Sequence, residues 1–402
     1  MVNASVHLSS GRLSVEFQVQ NGQEPLKSSA PEAPLPELCR RALSQPLGFP
    51  ELYRCVIPGD QVAVVVDPET PMLAEILLAV HEQLQLVPDG GVSLSLVLPP
   101  DPQGQSWEWL KESLPLHVQQ QMKLVVHDPN DRTQVSYVAS SAAGERIYLN
   151  RLVSEADLIV TIGLIRADKE LGFRGTSSSL FPSLSDKETY ALIKASLTGG
   201  KNTEGQSLRE LVDEIGWLLG TQFTVQVIPG PKGPATVLAG LPEEVFPTGC
   251  EMVEKTWAVS VEEEVPSVIT SIPGGPCAWK QLGQALQSAS EVVEQGGRII
   301  VVADISVPDG PAATMLRRSQ DPEELLKPLR REPTQDSEEI SQLIEASRKA
   351  RIYLRSDLPT ELIEELGMFP LATEEELQRL VSPLEQPLVV PFANFAMCSV
   401  GA

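Results

Sequence analysis

Short runs of apolar, largely β-branched residues recur along the first half of the chain, at Gln61–Asp67, Val92–Leu98, Lys123–His127 and Asp157–Ile165. Near-continuous Val, Ile and Leu over such lengths is the pattern of strands covered on both faces. Between the first two, Leu73, Ile76, Leu77, Val80 and Leu84 fall at helical intervals and predict an amphipathic helix over 72–84. Strand, helix, strand implies a parallel sheet with crossover helices. The alternation resumes with a strand at Ser267–Ile272, a helix over Lys280–Glu294 and a strand at Arg298–Ile305. Helices at Pro322–Lys327 and Glu338–Lys349 then lead to a strand at Arg351–Arg355. The fold class is therefore α/β.

A chain of 402 residues exceeds what one hydrophobic core normally supports, so two domains are expected. The acidic stretch Ser260–Pro266 separates the two alternating blocks and reads as the linker, giving domains 1–265 and 266–402. Pro229–Pro234 is turn-rich and reads as a loop inside the first domain. Trp107, Trp109, Trp217 and Trp257 read as core or packing residues.

Charge narrows the partners. Lys and Arg total 31 against 54 Asp and Glu, and a net charge of −23 repels phosphate backbones and anionic lipid, so neither nucleic acid nor membrane is an expected partner. No basic, apolar leader opens the chain and no apolar run approaches a membrane span, which makes a cytoplasmic location the expectation. Five scattered cysteines, odd in number and without C-x-x-C spacing, read as reduced thiols. Glu262–Glu264 reads as a solvated face, so no metal site is assigned to the chain's own side chains. Neither a phosphate-binding glycine loop nor a zinc-protease or serine-hydrolase motif is present.

Other motifs carry a resemblance. Ala42–Gly48 followed by Pro58–Asp67, then His127–Asp131, Tyr148–Arg151, Glu155–Ile159 and Gly172–Gly175 with Leu180–Pro182, follow one another in a characteristic order. In the second half Gly274-Gly275, Gln284 and Gly296–Ile300 continue it. This series resembles the nickel-pincer lactate racemase family over roughly residues 5 to 395. The resemblance implies a Rossmann-like N-terminal domain with a parallel sheet, a smaller α/β C-terminal domain and a cleft between them. It also implies racemisation or epimerisation of a 2-hydroxy acid, in which a nickel-pincer nucleotide tethered to lysine accepts and returns hydride while histidines move the proton.

The residues that such chemistry needs are largely replaced. Against the family's G-F-S-G-G-A-K loop the chain reads Gly172-Phe173-Arg174-Gly175-Thr176-Ser177-Ser178, which puts Ser178 at the tether lysine. Asp168 stands at one catalytic histidine, and Asp101 lies in the loop that carries the other. In the family's D-x-T-R-P turn Thr70 is kept while the carboxylate-gripping arginine is lost. Gln284 is kept, and Gln287 replaces the lysine beyond it. Of four histidines only His127 lies in a family motif, where it reads as a strand-end residue capping a turn.

The expected function is then a lactate racemase-like protein with a degenerate site, taking a small anionic ligand, a 2-hydroxy acid or a nucleotide-like molecule, without racemising lactate. Arg174, Gly175, Thr176, Ser177 and Ser178 are the expected anion nest, with Thr70 and Gln284 as further ligand contacts. The alternative is a diverged isomerase for another 2-hydroxy acid, with Asp168 and Asp101 as its catalytic carboxylates and the nickel-pincer nucleotide held non-covalently or absent. The sequence is compatible with a homo-oligomer.

Overall fold

The computed structural model describes residues 3–24, 26, 31, 33–88, 91–100, 107–140, 144, 146–190, 193 and 208–401. Two compact units divide the chain. An interior unit comprises Ser29–Val253, and a terminal unit joins Met1–Ser28 to Glu254–Ala402. The boundary falls inside the helix Pro242–Trp257.

The chain opens with an antiparallel hairpin, β1 (Asn3–Ser10) and β2 (Leu13–Gln20). β2 alternates buried and exposed positions, the pattern of a strand with one dry face. The interior unit follows with β3 (Gln61–Val66), β4 (Ser93–Leu98), β5 (Met122–Val126), the hairpin β6 (Val135–Ser140) and β7 (Arg146–Asn150), then β8 (Leu158–Leu164), the short hairpin β9 (Arg166–Asp168) and β10 (Gly172–Arg174), and finally β11 (Phe223–Gly230) and β12 (Gly233–Gly240). Its main sheet has the order β12-β11-β8-β3-β4-β5, parallel throughout except for the β11–β12 pair. All seven residues of β8 are buried, as its unbroken apolar run requires. The helix Leu73–Leu84 crosses from β3 to β4 and buries Leu73, Ile76, Leu77, Val80 and Leu84, the five positions picked out by periodicity.

The terminal unit continues with β13 (Ala258–Val261), β14 (Val265–Ser271), β15 (Val293–Val302), β16 (Ala350–Arg355), β17 (Phe369–Pro370), β18 (Leu388–Val390) and β19 (Met397–Val400). A parallel sheet runs β17-β16-β15-β14-β18, and β13 pairs with β19 beside it. Val6, Leu8, Val15, Phe17 and Val19 of the opening hairpin pack on Ile269, Ile300 and Val302 of that sheet. Each such side chain stabilises the unit by roughly 1.5–3 kcal/mol when fully buried.

The two units differ from the expected division at 265/266, because the hairpin's dry face is satisfied by strands and by the helix Glu374–Val381 from the other end of the chain. The expected linker Ser260–Pro266 is also not a tether. Val259, Val261 and Val265 are buried in β13 and β14, which leaves only the exposed Glu262–Glu264 as a turn. Pro229–Pro234, read as a turn-rich loop, comprises the ends of β11 and β12 and the two-residue turn between them, inside the interior unit. Of the tryptophans, Trp257 is fully buried against Phe395, whereas Trp217 is 73% exposed and is no core residue. All five cysteines are free thiols. Among the described residues no helix is long and apolar enough to cross a membrane.

Candidate functional site

Strand order in the interior sheet reverses at β3: from there the chain steps outward to β4 and β5, then returns to place β8 on the opposite side. Parallel sheets bind ligands beyond the carboxyl ends of strands at such a switch point. The segments that leave β3 and β8 carry most of the candidate residues.

After β3 the chain turns sharply. Asp67 Oδ1 accepts the Glu69 N–H at 2.9 Å, and its carbonyl accepts the Thr70 hydroxyl at 2.7 Å. Thr70 is therefore buried and engaged within its own turn. The turn delivers Glu69 to Arg166, 3.2 Å away, with side chains only 2% and 3% exposed. Arg166 opens β9 and lies opposite Arg174 on β10. Asp168 Oδ2 sits between them, 3.0 Å from Arg174 Nε and 3.5 Å from Arg166 Nη1. Its Oδ1 accepts the N–H groups of Glu170 and Leu171 at 3.1 and 3.0 Å.

Burial by itself would raise the Asp168 carboxyl. Arg174, Arg166 and the two backbone donors outweigh that effect and hold it below the usual carboxylate range. A group so stabilised as an anion has little tendency to take a proton, which makes Asp168 a weak base.

The loop after β10 is closed rather than open. Gly175, at φ +139°, lies against Ile165, where a Cβ would come within 2.7 Å of that side chain. Thr176, Ser177, Ser178 and Ser179 are all buried. Ser178 Oγ accepts the Gly175 N–H at 2.9 Å, Thr176 Oγ1 donates to the Gly175 carbonyl at 2.8 Å, and Ser179 Oγ donates to the Thr176 carbonyl at 2.9 Å. Arg209, on the helix Leu208–Leu218, holds the loop from outside: it donates to the Gly175 carbonyl at 3.2 Å and to Thr176 Oγ1 at 3.2 Å while lying over the Phe246 ring.

The fold thus brings Thr70, Asp168, Arg174 and Gly175–Ser178 to one region of the interior unit. Gln284 is half-buried on the helix Ala278–Ser290 of the terminal unit, where neighbouring Gln281 accepts the Gly274 N–H at 2.9 Å. Asp101 lies outside the described residues. His127 is buried, with Nε2 2.8 Å from the Ser185 carbonyl and Nδ1 3.1 Å from Asn150 Nδ2, and burial lowers its pKa. Motif comparison did not single out Glu69, Arg166 or Arg209. The charge of Glu69 and Arg166 between apolar strands was the available signal. Among the described residues no cluster of His, Cys, Asp and Glu is placed to hold a metal ion.

Residues 9–195 match the family model of the lactate racemase N-terminal domain. Over that stretch the chain is similar to the lactate racemase N-terminal domain. It is 21% identical over 304 residues to a lactate racemase of Thermoanaerobacterium thermosaccharolyticum, an alignment covering 72% of this chain and 71% of that protein. Its fold is similar to that of the lactate racemase apoprotein from the same organism, with a TM-score of 0.75 at 18% identity, over 98% of this chain and 100% of the other. A Thermotoga maritima protein shares the fold at a TM-score of 0.65 and 13% identity, over 91% of this chain and 98% of that one. The chain therefore shares the fold of the lactate racemase apoprotein and sets the ion pairs Glu69–Arg166, Arg166–Asp168 and Arg174–Asp168 at the switch point of its interior sheet.

Proposed function

We propose that this protein is a lactate racemase-like member with a degenerate site, which takes a small anion, a 2-hydroxy acid or nucleotide-like molecule, without racemising lactate. The observation that carries the reading is the Ser178 hydroxyl, buried and accepting the Gly175 N–H at 2.9 Å. By resemblance this is the position of a lysine that tethers a nickel-pincer nucleotide. Serine has no amine to form that link, and its oxygen is committed to the loop's own backbone. The residues present do not fit a lysine-tethered group, and no reaction step is assigned to one.

Asp168 supports the same reading. It stands where the resemblance places a proton-transferring histidine, yet two arginines favour its ionised form. The arginine pair is suitable chemistry for recognising a carboxylate, and here the chain's own Asp168 lies against both. We place the protein in the cytoplasm on the composition of its sequence.

The test is co-expression with enzymes that make the nickel-pincer nucleotide, followed by intact mass and assays on D- and L-lactate. Unmodified mass and no racemisation are expected. A mass increase of nucleotide size, or measurable lactate racemisation, would overturn the proposal. Including other 2-hydroxy acids tests the alternative of a diverged isomerase, for which Gln284 is the retained contact.

A further inference from the structure

Arg166 and Arg174 face one another across the β9–β10 hairpin, where two like charges directly opposed should push the strands apart. They do not, because both guanidinium groups reach the same oxygen, Asp168 Oδ2. Glu69 closes the row on the far side of Arg166. Counted by themselves, these two cations and two carboxylates balance, and removing Asp168 leaves an excess of one positive charge among the four. Arg166 Nε is buried and has no hydrogen-bond partner among the described residues, which leaves donor capacity beyond what Glu69 and Asp168 use.

We propose that Asp168 is an internal anion: its carboxylate fills a two-arginine site whose chemistry otherwise suits a small external monocarboxylate. The inference goes beyond the proposed function, because in the intact chain the carboxylate against the pair is Asp168 rather than a free ligand. Truncating Asp168 leaves one net positive charge in a largely buried place, together with the volume of roughly an acetate. A monoanion restores both the charge balance and the contacts. A dianion such as phosphate overshoots the charge and is the poorer occupant. In the intact chain, Asp168 is covalently attached at high effective concentration, so external carboxylates compete with it poorly.

The experiment compares wild type, Asp168→Ser and the double variant Asp168→Ser, Arg174→Ala. Serine frees the space while keeping an oxygen that can accept the Leu171 N–H. Thermal unfolding and calorimetry are followed against sodium acetate, with sodium chloride holding ionic strength constant. The expected result is that Asp168→Ser melts lower than wild type, is stabilised saturably by acetate and binds it at least tenfold more tightly than wild type does. The double variant should lose that response. An equal response in wild type, no response in Asp168→Ser, or a response that survives in the double variant would each overturn the inference. Should Asp168→Ser be insoluble without acetate, recovery on refolding in acetate supports the proposal, and failure there overturns it. Lactate racemisation by wild type would sink the functional reading while leaving the acetate result intact, so the two failures are distinguishable.

Discussion

Arg166 reaches Glu69 at 3.2 Å across the gap between the segments leaving β3 and β8, and both side chains are almost wholly withdrawn from water. A buried pair is held by desolvation as much as by attraction, since removing one partner strands the other. Glu69→Ala is therefore expected to cost about 3–5 kcal/mol in urea unfolding. Glu69→Gln, which keeps an acceptor for Arg166 Nη2, should cost less than Glu69→Ala. A loss below about 1 kcal/mol for Glu69→Ala would mean that water reaches Arg166 freely.

Ser178 holds the next loop by accepting the Gly175 N–H. Ser178→Ala leaves that buried donor without a partner, for an expected cost of about 1–3 kcal/mol. Ser178→Lys restores an amine in sequence but not in space, because a buried position takes its charge out of water. We expect Ser178→Lys to unfold more readily than Ser178→Ala and to gain no covalent nucleotide by intact mass.

β3, β4, β5, β8, β14, β15 and β16 were legible because each is a compact apolar run, and the helix Leu73–Leu84 because its apolar spacing is regular, whereas β11, β12, β17 and β18 were not read. The β1–β2 hairpin was harder. Val15, Phe17 and Val19 alternate as a half-buried strand should, but nothing local says that their partners are Ile269 and Ile300. In the site, Thr70, Asp168, Arg174 and Ser178 emerged by matching a motif, which reads position and not contact. The motif shows that the lysine is gone. It does not show that Ser178 turns back on Gly175, or that Arg174 is taken by Asp168. Glu69 and Arg166 lie 97 residues apart, and an ion pair at that separation leaves no local pattern to find.

Gly216 tests how tightly the serine loop is packed. In an exposed helix interior, Gly→Ala adds stability of about 1 kcal/mol. Here a Cβ would stand 2.1 Å from Ser177 Oγ and 2.7 Å from Ser177 Cβ. Overpacking then wins, and Gly216→Ala should lose about 1–3 kcal/mol. Adding Ser177→Gly removes the obstructing atoms and should recover a measurable part of the loss in the same unfolding assay. A Gly216→Ala single variant more stable than wild type would show that Ser177 moves aside without penalty.

Glu339 and His127 make stability depend on pH in opposite senses. Burial raises the Glu339 carboxyl from 4.5 to about 7; its own backbone N–H and Lys280 oppose the rise, while Glu338 and Asp336 add to it. The folded state therefore holds this proton over a range in which the unfolded chain has released it. Stability contributed by Glu339 is complete below pH 4.5 and falls as pH rises toward about 7, because the charged form must then be buried. The full difference is on the order of 3 kcal/mol. Glu339→Gln stays neutral at every pH, so it should flatten this decline and be more stable than wild type above pH 7. His127 works the other way: burial lowers its pKa from 6.5, so the unfolded chain binds a proton that the folded one refuses, and stability falls as pH drops below 6.5. Urea unfolding between about pH 5 and 8 separates the two, since Glu339→Gln removes the loss on the alkaline side and leaves the acid-side loss in place. If Glu339→Gln instead lowered stability by the same amount at every pH in that range, Glu339 would be ionised in the folded protein and its neutral burial between the helices Ala278–Ser290 and Ser337–Lys349 would be excluded.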